Sequence, residues 1–155
     1  MNENYYFLID LSIHSGKNRF FVYDFKQKKS IAENLVTHGA CDHFETNITK
    51  YSEAKFSERV DSHCSMKGKF KIGKRDYSSW GINVKYWLHG LESQNNTAED
   101  RVVVLHSWSK VNNTEIYPAY SPLSWGCPAV SDAFMKILDA KLKTADKPVL
   151  LWIVN

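Results

Sequence analysis

The chain has 155 residues, a length that suits one domain. Its 43% hydrophobic and 14% aromatic content is that of a protein with a packed core, which excludes a largely disordered chain. The net charge of +3 is scattered apart from one run at Lys26, Lys28 and Lys29, so no nucleic-acid-binding surface is predicted, and no apolar run is long enough for a membrane span.

The first half of the chain predicts β-strands followed by a long loop. Residues 5–13, 19–25 and 30–38 are rich in aromatic and β-branched residues, and a turn at residues 15–18 makes the first two a hairpin. Residues 40–65 are polar without a sustained period, which predicts a long loop containing at most one helical turn. A strand is expected to start at residues 69–72. Residues 73–90 are aromatic but irregular, as either a groove wall or core would be.

The second half predicts two buried strands and one helix. Residues 101–106 form a short apolar run that ends in a histidine, and residues 149–154 are nearly all apolar, as in a central strand. Residues 131–143 have helical periodicity, with Ser131 as the N-cap and Asp132 in the first turn. The expected fold class is therefore mainly β (α+β), with one substantial helix, in a single domain over residues 1–155.

The segment richest in chemical information is residues 124–130, Ser-Trp-Gly-Cys-Pro-Ala-Val. Gly126 permits a tight turn directly before Cys127, and this turn can expose the thiol. The predicted start of the helix at Ser131 is close enough to lower the pKa of the thiol. The alternative is a buried structural cysteine, which is a common environment for an unpaired cysteine.

A second candidate is His106, which ends the apolar strand and is followed by Ser107. A histidine at a strand end can reach a neighbouring loop, and a nucleophile and its base need only lie within hydrogen-bond distance. We therefore predict Cys127 as nucleophile and His106 as general base.

These motifs resemble the L,D-transpeptidases, whose YkuD-type catalytic domain has a His-Gly or His-Ser pair before a [Ser/Thr]-x-Gly-Cys block. Residues 65–72, Ser-Met-Lys-Gly-Lys-Phe-Lys-Ile, resemble a strand of the same family. The murein L,D-transpeptidase branch is similar also in an early His-Gly pair, here His38-Gly39, and in a segment upstream of the histidine strand. The matching positions of that segment are Gly90, Leu91, Glu92, Asn95, Ala98 and Arg101. The resemblance covers the chain from about residue 7 to residue 154.

Two departures from the larger family limit what the resemblance implies. Trp125 stands where the family usually has a histidine, which leaves His106 as the remaining base. Residues 128–130 are Pro-Ala-Val where the family places an arginine, so substrate recognition does not carry over in detail.

The resemblance implies a YkuD-like β-sandwich or barrel with a helix after the catalytic cysteine. It implies a cofactor-independent enzyme that acts on peptidoglycan stem peptides through a Cys127 thioester and either forms cross-links or exchanges D-alanine. Ser107 would orient His106 through its hydroxyl or a backbone carbonyl, and the N–H groups of Gly126 and Cys127 would bind the oxyanion. The expected substrate-binding residues are His38, Ser124, Trp125 and Arg101, although an ordinary surface position is the alternative for Arg101.

Three alternatives to the transpeptidase prediction stay open. One is an L,D-carboxypeptidase with the same Cys–His site, which could also act as an antibacterial effector, and another is a non-catalytic wall-binding module. A zinc site in the long loop is the third, with potential ligands at His38, Cys41, His43, His63 and Cys64.

Three cysteines cannot all pair within one chain, and a disulfide between Cys41 and Cys64 is a separate possibility. A location in the cell envelope is expected from the resemblance. The first ten residues lack a basic leader followed by an apolar run, so either a mature domain or another delivery route is expected.

Overall fold

The computed structural model describes residues 1–155 and contains eight strands, one α-helix and one short 3₁₀ turn at Ser93–Asn95. The strands are β1 (Tyr5–Asp10), β2 (Phe20–Asp24), β3 (Lys29–Asn34), β4 (Gly68–Tyr77), β5 (Val84–Gly90), β6 (Val104–Ser107), β7 (Ala129–Val130) and β8 (Leu150–Val154). The helix α1 comprises Asp132–Lys143. No helix is both long and apolar enough to cross a lipid bilayer.

All eight strands belong to one sheet in the order β3-β2-β1-β8-β4-β5-β6-β7. The pairs β1–β8 and β6–β7 are parallel, and the other neighbours are antiparallel. The two ends of the sheet approach each other beyond β3, where Thr37 N–H donates to Ala129 O at 3.0 Å. The sheet is thus nearly closed, as the mainly β, barrel-like prediction requires.

The main core lies between the concave face of the sheet and α1. Val84, Tyr86 and Leu88 alternate along β5 as buried residues of this core, which leaves the residues between them on the opposite face. Ser131 Oγ caps α1 by accepting from Phe134 N–H at 3.1 Å, and the Phe134 ring packs edge-on against Phe20 at 5.3 Å. The predicted helix, its cap and the central apolar strand β8 are confirmed.

Residues 73–90 differ from the irregular segment expected from the sequence. The strand β4 continues to Tyr77, a turn occupies residues 78–83, and β5 pairs back along β4 with a bulge between Ile72 and Arg75. The bulge and the charged residues 74–76 obscure the alternation of this hairpin in the sequence. Residues 35–38 also lie outside the regular sheet, so β3 is shorter than predicted.

Residues 40–65 contain turns and one isolated bridge between Phe56 and Ser65, in agreement with the predicted loop. This long loop packs against the end of the sheet where β6 and β7 lie.

Candidate active site

Cys127 lies at the end of a tight turn that leads into β7. The Ser124 hydroxyl accepts from Gly126 N–H at 3.2 Å and donates to Cys127 O at 2.7 Å, so the serine closes the turn from both sides. Gly126 has φ of +110°, and a Cβ at this position would approach Cys64 O to 2.4 Å. The turn therefore requires a glycine directly before the cysteine, because a residue with a Cβ would be strained at position 126 and would clash with the Cys64 carbonyl.

His106 lies beside this turn on β6. The register of the parallel pair β6–β7 sets His106 against Ala129, and His106 N–H donates to Pro128 O at 3.3 Å. The ring Nδ1–H donates to the backbone carbonyl of Ser107 at 2.9 Å. Since a carbonyl only accepts, the proton is on Nδ1, and Nε2 is left with a free lone pair.

The sulfur and the imidazole share one open cleft with a volume of about 340 Å³. Cys127 is half-buried and is not sealed in the interior. The cleft is mainly apolar, and its lining residues are Trp80, His106, Trp108, Leu123, Ser124, Trp125, Cys127 and Ala129. Trp80 belongs to the aromatic segment that suggested a groove wall. The sequence did not predict Trp108 and Leu123 as cleft residues. The only signal for them in the sequence was their position next to the two motifs.

Burial dominates the protonation of both groups. It raises the pKa of the Cys127 thiol above its ordinary value, against smaller opposing effects of a hydrogen bond with the Val104 backbone and of the positive charges of Arg101 and Lys85. It lowers the pKa of His106, against the hydrogen bond to the Ser107 carbonyl. The net shift is therefore opposite to the lowering expected from the start of α1, because desolvation of the thiolate outweighs the favourable interactions.

Arg101 is neither a surface residue nor an open carboxylate anchor, contrary to both expectations. Its side chain is half-buried, and it donates to Ser57 O and to Cys64 O, both at 2.7 Å. One terminal nitrogen lies 3.1 Å from the position of a Cβ on Gly126, so the guanidinium lies against the turn. Arg101 thus connects the long loop to the turn that carries Cys127.

His38 is buried, with 2% of its surface exposed, and does not line the cleft. Arg19 Nη2 donates to its Nδ1 at 3.0 Å, and its Nε2–H donates to Lys50 O at 2.6 Å. Both ring nitrogens are therefore engaged, and the predicted substrate contact is wrong. The contribution of His38 to the site is made by its backbone carbonyl, which accepts from Ser124 N–H at 3.0 Å.

The family model for the L,D-transpeptidase catalytic domain matches residues 1–151. The chain belongs to this family. No curated protein sequence matches this L,D-transpeptidase chain.

Solved structures share the fold of this chain. The helical cell shape determining protein Pgp2 of Campylobacter jejuni has a TM-score of 0.56 at 10% identity, over 99% of this chain and 49% of that one. Bd1075 of Bdellovibrio bacteriovorus has a TM-score of 0.57 at 14% identity, over 98% of this chain and 48% of that one. An L,D-transpeptidase of Xylanimonas cellulosilytica has a TM-score of 0.51 at 15% identity, over 99% and 61% respectively. The chain thus spans about half the length of the first two structures.

The structure favours one of the two roles expected of Ser107 and contradicts the role expected of the Gly126 N–H. The Ser107 hydroxyl is fully buried and accepts from Ile82 N–H at 3.0 Å, so Ser107 orients His106 through its carbonyl alone. The Gly126 N–H is engaged by Ser124, which leaves Cys127 N–H as the free donor at the turn. Ser124 lines the cleft, but both hydrogen bonds of its hydroxyl serve the turn.

Trp125 is the most open residue of the transpeptidase cleft, with 74% of its surface exposed. Its indole stacks on the His63 ring with centroids 4.4 Å apart and planes 2° from parallel. Trp125 therefore joins the rim of the cleft to the long loop, and its contact with substrate stays a prediction.

The long loop is closed by a disulfide between Cys41 and Cys64, and Cys127 is the free cysteine. Two of the five ligands considered for zinc are consequently consumed by the disulfide. No group of three metal-binding side chains occurs in the structure, so the zinc hypothesis has no donor set.

Proposed function

We propose that the chain transfers the acyl group of a peptidoglycan stem peptide through a thioester on Cys127. The observation that carries the proposal is that the free thiol and the unprotonated Nε2 of His106 belong to one open cleft. A nucleophile, a base and a group that orients the base are the requirements for covalent acyl transfer.

The opposite pKa shifts favour a neutral resting pair over a thiolate–imidazolium pair. Burial raises the pKa of Cys127 and lowers the pKa of His106, and each shift opposes transfer of the proton before substrate binds. His106 therefore acts as a general base during attack, a contribution worth about 10²–10⁴-fold in rate.

In the first step, the sulfur attacks the carbonyl carbon between the third residue of the stem and its terminal D-alanine, while His106 Nε2 takes the thiol proton. The C–N bond then breaks, the departing nitrogen receives that proton, and D-alanine leaves as the free amino acid. Cys127 N–H is the backbone donor available to the oxyanion, and losing such a donor costs about 3 kcal/mol of barrier.

In the second step, an amine of another stem attacks the thioester, which forms a cross-link and returns the proton to the thiol. Attack by water instead yields a shortened stem, which is L,D-carboxypeptidase activity. Both outcomes use the same Cys127–His106 pair, so they differ only in the acceptor.

Mass spectrometry of a disaccharide tetrapeptide incubated with the protein tests the proposal. We expect loss of D-alanine together with either a dimer or a tripeptide, and the dimer identifies transpeptidation. The variant Cys127→Ala should produce neither while retaining the circular dichroism spectrum of the parent. Equal behaviour of parent and variant, or an unchanged substrate with the folded parent, would refute the mechanism.

We further propose that the protein works at the cell envelope, where its substrate is found. The Cys41–Cys64 disulfide supports this location, since disulfides persist in oxidising compartments outside the cytosol.

A further inference from the structure

Lys85 is the residue directly opposite His106 in the antiparallel pair β5–β6. Directly paired residues carry their side chains on the same face of the sheet. This is the face away from the main core, since the neighbours of Lys85 along β5, Val84 and Tyr86, belong to that core. The lysine side chain therefore lies on the face of the sheet that carries the catalytic imidazole.

The Lys85 ammonium has no ion-pair partner in the structure. It lies over the Trp87 ring, 5.1 Å from the centroid, and occurs in none of the four salt bridges. Asp76, its partner across β4–β5, accepts from the Trp87 indole at 3.1 Å and from Tyr77 N–H at 2.8 Å. Asp76 is close enough for the Lys85 charge to contribute to the lowering of its pKa, but no carboxylate is in salt-bridge contact with the ammonium. The ammonium, held by an indole, can therefore accept a carboxylate from a ligand.

The charge of Lys85 reaches both members of the reacting pair, because it lowers the pKa of His106 and of Cys127. Lys110 is also near the cleft, over the Trp108 ring at 5.6 Å, but it is not among the charges that shift the pKa of His106 or of Cys127. Arg101 is not available to a ligand. Both terminal nitrogens of Arg101 are bound to backbone carbonyls, and residues 128–130 carry no charge. Among the residues that line the cleft, none other than His106 can carry a positive charge.

We propose that Lys85 binds the terminal carboxylate of the acyl donor and thereby selects a stem that ends in a free amino acid. This inference rests on the proposed function. The carboxylate of the leaving residue lies only a few bonds from the scissile carbonyl, so a carbonyl held at Cys127 places that carboxylate close to His106. Lys85 does not itself line the cleft, but it is opposite His106 across β5–β6, and its long side chain can reach a carboxylate bound there. Lys85 is then a specificity-determining residue for the leaving group and takes no part in the bond changes.

The test compares two donors, the disaccharide tetrapeptide and the same molecule with a C-terminal carboxamide. Release of D-alanine or D-alaninamide gives kcat and KM for the parent, Lys85→Met and Lys85→Arg. The parent should prefer the free acid by about ten- to hundredfold, since a hydrogen bond to a charged group discriminates to this extent. Lys85→Met should lose this preference mainly through KM, and Lys85→Arg should keep most of it.

Lys69→Met is the matched control, because Lys69 also lies over an indole, that of Trp152 at 4.9 Å, on strands away from the cleft. It should keep the preference of the parent. A second readout is the alkylation rate of Cys127 by iodoacetamide across pH, which reports a general effect of charge on the thiol.

Three results would overturn the inference. In the first, an active parent shows no preference between the two donors, which leaves the proposed function intact. In the second, Lys85→Met lowers turnover of both donors equally and alters the alkylation profile, which indicates an effect on the reacting pair alone. In the third, the folded parent acts on neither donor, which refutes the proposed function as well.

Discussion

The open cleft can be compared with the buried structure that holds it, residues 37–40 and the long loop 40–65, which we call the support. Both regions contain a histidine, in different environments. In the cleft, which Cys127 also lines, His106 has one engaged ring nitrogen and one without a hydrogen-bond partner in the protein. In the support, His38 has both nitrogens engaged, by Arg19 and by the Lys50 carbonyl. Each histidine ends an extended segment and precedes a small residue. The number of unsatisfied ring nitrogens, more than the local sequence, separates a reactive histidine from a structural one.

The support holds the cysteine turn by its backbone. Residues 37–40 run along residues 124–129, where Ala40 N–H donates to Ser124 O at 2.9 Å and the Thr37 hydroxyl donates to Cys127 O at 3.2 Å. The motif that carries Cys127 is thus enclosed between these residues on one side and β6 on the other. Chemistry and stability should therefore respond to different substitutions.

We expect substitutions of the two histidines to differ most in their effects on activity and on stability. His106→Gln should lower kcat/KM by about 10²–10⁴-fold because it removes the base, with little change in the free energy of unfolding. His38→Leu should instead lower that free energy by about 2–3 kcal/mol, since it leaves an Arg19 donor and the Lys50 carbonyl unpaired in the interior. Urea unfolding and D-alanine release measured on both variants test this difference. If His38→Leu were as inactive as His106→Gln but as stable as the parent, the distinction between a structural and a catalytic histidine would be wrong.

The disulfide is expected to have the next largest effect, because it ties the support together. Cys41 and Cys64 are 23 residues apart, and closing a loop of this length stabilises the folded state by about 3 kcal/mol. The double variant Cys41→Ser/Cys64→Ser should lose this amount in urea unfolding. Activity should also fall, since the Cys64 carbonyl holds Arg101 and contacts Gly126. A double variant with unchanged stability would show that the loop is held by its packing alone.

Acid should weaken the support through His38. Burial and the neighbouring Arg19 lower the pKa of His38 from 6.5 to about 4, so the unfolded chain binds a proton more readily than the folded protein. Stability is then complete above pH 6.5 and is lost as the pH falls towards 4, by about 2–3 kcal/mol at pH 4.5. His106 shifts in the same direction and adds to this loss. Urea unfolding at pH 7 and 4.5 measures this loss of stability. His38→Leu should reduce the difference in unfolding free energy between the two pH values more than His106→Gln does.

The features predictable from the sequence are those encoded by neighbouring residues. The cap Ser131, the helix periodicity and the turn residues Gly126 and Cys127 depend on local geometry, and the structure places each as expected. The roles of His38 and Arg101 depend on partners 12 to 44 residues away, Lys50 and Ser57, so their residue types gave no signal. Lys85 was not predicted as a site residue for the same reason, because only the strand register places it opposite His106.

Arg101 lies at the boundary between the cleft and the support. Its substitution should have the smallest effect of those considered, a change in the reactivity of the Cys127 thiol. Its charge opposes the rise in the pKa of Cys127, so Arg101→Met should raise that pKa further and slow alkylation of the thiol at pH 8 by several-fold, and by no more than about tenfold. Arg101→Lys keeps the charge but loses the paired hydrogen bonds to Ser57 O and Cys64 O. If the charge matters, the lysine variant should retain the alkylation profile of the parent. If the contact with the turn matters more, both variants should be slowed alike, which would assign Arg101 wholly to the support.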